Sequence, residues 1–329
     1  MMQKKAILLT GLLIAGLSLT RCSDKTINEL EDNDCVEYNL TFLNSGTTQE
    51  LYDIFFLNAD RGWAVGDEGV ILSTINGGRD WFLQDSGQTS LLYGVQFLDY
   101  DTGWAVGTNG TLLRTVDGGQ NWSSTVISSR HLTDLYIYDH LRAWTVGDSV
   151  ILNTQNGGYI WLVYPPQVSE VPILYRVDFT DLLNGWTVGT GGTILHTDNG
   201  GTSWLRQPTN MLNPLFGIDM LDDSYGWAVG INGTVMHTDN GGTTWTKQST
   251  PVGTILRGVT FADSLIGLAV GDDGTAVHTI NGGVTFEQIE LGTTDCLRQI
   301  APTNSRISIA CGENGTIIKF VRIDVSCEE

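Results

Sequence analysis

Basic residues are scarce in this chain: 17 Lys and Arg stand against 37 Asp and Glu in 329 residues, a formal charge of −20. Phosphate contact needs clustered cations, so a basic nucleic-acid surface is excluded and no nucleic-acid partner is expected. Charged residues make up only 16% of the chain, too few for a coiled coil or a solvated disordered polymer. No CxxC spacing occurs among the 5 cysteines and no DxDxDG run occurs anywhere, so neither a zinc site nor a calcium loop is expected, and no cofactor. What is abundant is 40 glycines, 10 tryptophans and a hydrophobic share of 41%, enough for one large or two ordinary domains with a buried core.

The first 21 residues read as an export signal. Lys4 and Lys5 form the positive head, and Ala6 to Thr20 form an apolar stretch too short to span a bilayer. Leu19-Thr20-Arg21-Cys22 resembles the lipoprotein signal box, with Arg21 where such boxes carry a small residue. Cys22 is therefore the expected lipidation site, residues 22–35 an acidic tether, and residues 36–329 the folded domain. The alternative is an ordinary secretory signal with Cys22 incidental. The expected location is the periplasmic side or the surface of a bacterial membrane.

Internal repetition decides the fold. GWAVG stands at Gly62–Gly66, Gly103–Gly107 and Gly226–Gly230, with variants at Ala143–Gly147, Gly185–Gly189, Gly267–Gly271 and Ser308–Gly312. Their second residues, Trp63, Trp104, Trp144, Trp186, Trp227, Leu268 and Ile309, are spaced by 40 to 42. A Gly-Gly pair follows in six units, and three residues beyond it stands Trp81, Trp122, Trp161, Trp204, Trp245 or Phe286. In the fourth unit the pattern predicts strands over Leu174–Thr180, Gly185–Val188, Thr193–Thr197 and Thr202–Gln207, with a tight turn at Asp198–Gly201. Four strands per unit, repeated seven times, predict an all-β, seven-bladed β-propeller of four-stranded antiparallel blades.

The seventh unit stops after Thr316–Val321, without its outermost strand. Tyr38–Leu43 has the character to fill that place and close the ring, removing an unpaired edge. Cys35 would then approach Cys327. Cys296 and Cys311 fall on adjacent antiparallel strands at similar distances from their turn. Of the three connectivities open to four exported cysteines, 35–327 and 296–311 are therefore expected.

The unit GWAVGINGTVMHTDNGGTTW at Gly226–Trp245 resembles the photosystem II stability/assembly factor family, over about Leu51 to Arg322. The turns also resemble the Asp-box of bacterial neuraminidase repeats, with Asn76, Asp117, Asn156, Asn199, Asn240 and Asn281 at the aspartate position. The resemblance implies a seven-bladed propeller that binds another protein. Photosynthetic members are chaperone-like binders of a membrane photosystem subunit, some through a basic arginine patch. This chain departs from them in its acidity.

The second residues of the innermost strands, Tyr52, Tyr93, Thr133, Tyr175, Phe216, Arg257 and Arg298, are expected to ring one mouth of the central channel, with Arg176 adding a third charge. Aromatics broken by arginines have the composition of a recognition surface. The competing reading is inter-blade packing for the tyrosines and pairing of the arginines with acids such as Asp263. His196, His237 and His278 occupy equivalent positions on different blades, too far apart to share a metal. Asp222-Asp223 and Asp272-Asp273 read as solvated turns.

These observations lead to a non-enzymatic, lipid-anchored monomer that binds a protein partner, expected to be membrane-associated, in the manner of an assembly factor. Two alternatives come from other classes. One is a sialidase-like glycosidase, which would need Arg176, Arg257 and Arg298 around a substrate carboxylate and Tyr52 or Tyr93 as nucleophile. The other is a surface adhesin or glycan-binding module.

Overall fold

The computed structural model describes residues 34–164 and 172–326. The signal, Cys22 and residues 22–33 of the expected tether lie outside the described residues, as does Cys327 of the expected 35–327 bridge. Seven four-stranded sheets form the ring. Blade one comprises Leu51–Phe56, Gly62–Gly66, Ile71–Thr74 and Phe82–Gln84, numbered from the channel outward. In blade four the strands are Leu174–Phe179, Gly185–Gly189, Thr193–Thr197 and Leu205–Arg206, close to the sequence expectation. The ring closes as predicted. Asp34–Leu43 lies outermost on blade seven, antiparallel to Ile317–Ser326, with Leu43 opposite Ile317 and Asp34 opposite Ser326.

Every residue of the GWAVG strand is buried in blade one, because a blade between two neighbours is covered on both faces. The leading glycine makes room for the ring at the end of the inner strand: a Cβ on Gly62 would stand 2.6 Å from Phe56 Cε1. Where that ring is replaced by Ile137, the facing residue is Ala143. The last glycine admits the preceding connection, since a Cβ on Gly66 would collide with the Glu50 carbonyl.

The two sequence columns repeat together because they touch across blades. Trp144 Nε1 of blade three donates to the Gly200 carbonyl of blade four at 3.0 Å, and Trp186 and Trp227 make the same bond to Gly241 and Gly282 at 3.4 Å. Trp63 stacks on Phe97 of the next blade at 3.5 Å, and Trp227 stacks on Phe261 at the same distance. Such pairs add about 0.5–1.5 kcal/mol beyond area burial. The Gly-Gly turn is held by its own side chains. Thr197 Oγ1 donates to Asn199 Oδ1 at 3.0 Å and accepts from Gly201 N at 2.8 Å, while Gly201 adopts a φ of +83°. Glycine takes that conformation without the steric cost a Cβ would bring.

A third device latches the inner strands. Asp53 Oδ2 accepts Val95 N–H, Asp134 Oδ2 accepts Val177 N–H and Asp178 Oδ2 accepts Met220 N–H, each at 2.8 Å. Gln96 and Asp219 do the same for Ile137 and Phe261. Each bond runs from one blade to the next.

The 296–311 disulfide is not formed: both thiols are free and buried. The register of blade seven sets Gln299 opposite Cys311 and Leu297 opposite Gly312, with a β-bulge between them, so the two cysteines are not cross-strand partners. Cys296 Sγ instead lies 2.6 Å from Asp272 Oδ1, and Cys311 Sγ lies 3.7 Å from the Leu51 carbonyl in the neighbouring blade.

Candidate functional site

The same bulge recurs in all seven inner strands, after Leu51, Leu92, Leu132, Leu174, Leu215, Leu256 and Leu297. It inserts the second residue of each strand as an unpaired extra, which re-aims the side chains beside it. Second and third residues both serve the channel as a result, in two tiers.

The upper tier is the mouth. Tyr52 and Tyr93 meet edge-to-face at 5.1 Å, and Arg298 lies over Tyr52 at 5.7 Å. On the other side Tyr175 and Phe216 meet at 5.0 Å, with Arg257 over Phe216 at 5.3 Å. All six are half-buried. Thr133 fills the place between Tyr93 and Tyr175 and donates its hydroxyl to the Leu174 carbonyl at 2.7 Å. The inner residues expected at the mouth thus form two aromatic–arginine runs, broken by Thr133.

Arg176 is not part of that surface. It lies in the tier below, where its Nη1 reaches Asp53 Oδ1 at 3.1 Å and Asp134 Oδ1 at 3.3 Å, and its side chain is 11% exposed. Its Nη2 donates to the Tyr52 carbonyl at 3.3 Å. Blades one, three and four are therefore tied together inside the channel. Burial pushes Asp134 up to about 7 against the pull of Arg176, and Asp53 is raised by the same cause. On blades four and five Asp178 and Asp219, each latched to a backbone N–H of the next blade, are near enough to interact electrostatically, and neither is ion-paired among the described residues. Burial and the neighbouring Asp219 push Asp178 up to about 7, and burial pushes Asp219 to about 6.

The arginines at the mouth have carboxylate partners, though not Asp263, which instead accepts the Leu265 and Ile266 amides in its own turn. Arg257 pairs with Asp272 through Nε and, at 2.9 Å, through Nη2. Arg298 pairs with Glu50 and lies 3.7 Å from Glu313. Asp272 is thus an ion-pair partner rather than a solvated turn residue.

A column of residues that sequence reasoning missed surrounds the mouth. The residue after each final repeat glycine is Asp67, Thr108, Asp148, Thr190, Ile231, Asp272 or Glu313. In every blade its N–H donates to the carbonyl of the residue before the inner strand, as from Asp67 to Glu50 and from Asp148 to His131. The repeat itself therefore carries an acidic position at the rim. Asp148 raises the phenol pKa of both Tyr93 and Tyr175, in each case after the larger effect of burial. Asp67 acts on Tyr93 in the same way. Among the described residues neither Asp67 nor Asp148 is ion-paired with a basic side chain.

His196, His237 and His278 remain apart from this site. His196 and His237 lie opposite Trp186 and Trp227 in register and stack on them, at 4.5 and 4.8 Å. His278 packs edge-on to Tyr38 at 5.2 Å, and burial pushes it down to about 4.

Comparison with known proteins places this geometry in a family. Two solved structures of similar shape are YCF48 bound to D1 peptide (19% identity) and YCF48 from Cyanidioschyzon merolae (22% identity), each with a TM-score of 0.73. They cover 86% of this chain and 96% and 98% of their own. The WD40 propeller domain of Doa1 matches at a TM-score of 0.70 with 12% identity, over 87% of this chain and 97% of that one. At these identities the likeness is one of fold. No curated protein matches the chain. The profile described as photosynthesis system II assembly factor YCF48 matches residues 82–165, 165–249 and 207–294, well over half of the sequence, and the chain belongs to that family.

Proposed function

We propose that this propeller is a binding protein for a segment of another protein, acting as an assembly or stability factor for a membrane complex. The observation that carries the reading is the mouth: half-buried aromatics in contact from blade to blade, bordered by carboxylates, above the buried Arg176 ion triad. Such aromatic-rich, partly desolvated surfaces are where interface energy concentrates. Family membership supports it, as does the similar structure described as bound to a peptide. Export and lipid attachment at Cys22 belong to the same reading, since they would hold a monomeric propeller beside a membrane-associated partner.

The test is crosslinked affinity capture from native membranes, comparing the wild type with Tyr93→Ala/Phe216→Ala. A reproducible membrane-complex subunit that the double variant fails to capture supports the reading. Undiminished capture by the variant removes the mouth as the site. The aromatics are better probes than Arg257 or Arg298, whose substitution also strands Asp272 or Glu50.

A further inference from the structure

The mouth has two chemically different halves. On blades six and seven the guanidiniums of Arg257 and Arg298 are matched by Asp272, Glu50 and Glu313. On blades one to four stand Tyr52, Tyr93 and Tyr175, and the rim column supplies Asp148, which is ion-paired with no basic side chain among the described residues, and Asp67, which takes a hydrogen bond from Tyr52 and feels the Arg298 guanidinium. Asp148 donates its N–H to the carbonyl of His131, which precedes Leu132-Thr133, and bridges to Ile173, which precedes Leu174-Tyr175. It therefore stands on the rim where the inner strands of blades three and four begin, above the small Thr133, and it also acts electrostatically on both Tyr93 and Tyr175.

We infer that this half of the mouth receives a lysine or arginine side chain presented by the partner's peptide segment, held between Tyr93 and Tyr175 with Asp148 as its counter-ion. Three arguments converge. Aromatic faces attract cations, with more effect as the site loses water. A carboxylate without a partner beside them gives the site its sign, and the arginines of the other half are already neutralised. The chain as a whole is strongly acidic, so its field steers cationic segments toward it and repels acidic ones. An acidic or C-terminal carboxylate ligand would have to displace Glu50 or Asp272 from an arginine, whereas a cationic one displaces nothing. The inference rests on the binding reading above and specifies the chemistry of its partner.

The experiment uses blocked Gly/Ser peptides of one length carrying three lysines, three arginines, three glutamines or three glutamates, titrated against the exported protein by calorimetry. The lysine and arginine peptides are expected to bind and to compete with the captured partner, while the glutamine and glutamate peptides do not. Asp148→Asn is expected to weaken the cationic peptides about tenfold, and Tyr93→Leu by a similar factor. Asp239→Asn, in the turn between the two outer strands of blade five and away from the channel, controls for general attraction to an acidic protein and is expected to change nothing. Near-UV circular dichroism checks that each variant keeps its packed tryptophans. Binding of the glutamate peptide, equal losses in the Asp148 and Asp239 variants, or choline binding more tightly than the lysine peptide would each overturn the inference. If the mouth variants lose partner capture but the cationic peptides do not bind, the inference fails and the binding reading stands. If capture survives the Tyr93→Ala/Phe216→Ala variant, the binding reading itself fails.

Discussion

Arg176 of blade four lies 3.1 Å from Asp53 of blade one, so an ion pair spans the channel between blades that do not touch in sequence order. Asp134 shares the same guanidinium nitrogen. Removing the cation leaves two buried carboxylates facing each other. Arg176→Met is expected to destabilise the propeller by about 3–5 kcal/mol at pH 8, the usual cost of breaking a buried pair from one side. Denaturant unfolding measures it. The loss should shrink at pH 5, where protonation relieves the stranded acids. A loss below 1 kcal/mol at pH 8, or one independent of pH, would show that the triad does not bind the blades together.

Asp178 and Asp219 set a second pH dependence. Their folded-state pKa values, about 7 and about 6, lie above the ordinary carboxylate range near 4, so the folded protein holds protons that the unfolded chain has released. Their stabilising effect is complete below about pH 4 and is lost as pH rises through 6 to 7. The unfolding midpoint should therefore fall between pH 5 and pH 8. Asp178→Asn keeps an acceptor for the Met220 N–H and removes the charge. It is expected to raise stability at pH 8 and flatten the slope, leaving the part due to Asp134 and Asp53. An unchanged slope in the variant would remove Asp178 as a source.

Cys296 and Cys311 are expected to behave as free thiols. Alkylation of the unfolded protein without reductant should label both, and peptide mapping should find no link between them. In the native protein labelling should be slow, because both are buried and unreactive. Burial, with the Asp272 carboxylate, pushes the Cys296 thiol up to about 12, and burial also raises that of Cys311 well above the ordinary thiol value. A 296–311-linked peptide would contradict the register of blade seven.

That register explains where the sequence was and was not sufficient. The GWAVG and Gly-Gly-aromatic columns were legible because each is bound to a contact that several blades repeat: Trp144 on Gly200, Gly62 under Phe56. The closing strand was legible because blade seven lacked an edge. The bulge was not legible, since strand alternation assigns faces by counting twos, and one unpaired residue breaks the count. The error at Cys296 came from judging its distance to the turn, since the register sets Cys311 opposite Gln299, three residues further along the strand. Arg176 was set beside Tyr175 because the sequence does not show that Asp53 and Asp134, from two other blades, converge on it. The carboxylates at the rim had a signal that was overlooked: the position after the last repeat glycine is acidic in blades one, three, six and seven.

Tyr52 Oη donates to Glu50 Oε2 at 3.0 Å, an arrangement that a glycosidase with a tyrosine nucleophile could use. Its surroundings argue against that use. Burial first, and then Glu50 itself, raise the phenol pKa, which keeps the hydroxyl protonated. A sialic acid carboxylate would also need free guanidiniums, yet Arg257 and Arg298 are held by Asp272 and Glu50, and Arg176 is enclosed beneath the mouth. Taking any of them would strand a carboxylate in a partly desolvated site at a cost of several kcal/mol. Hydrolysis of a fluorogenic sialoside by the purified protein is therefore expected to match the rate without protein, and Tyr52→Phe should leave that rate unchanged. Turnover by the wild type that Tyr52→Phe abolishes would replace the binding reading of the mouth with a catalytic one.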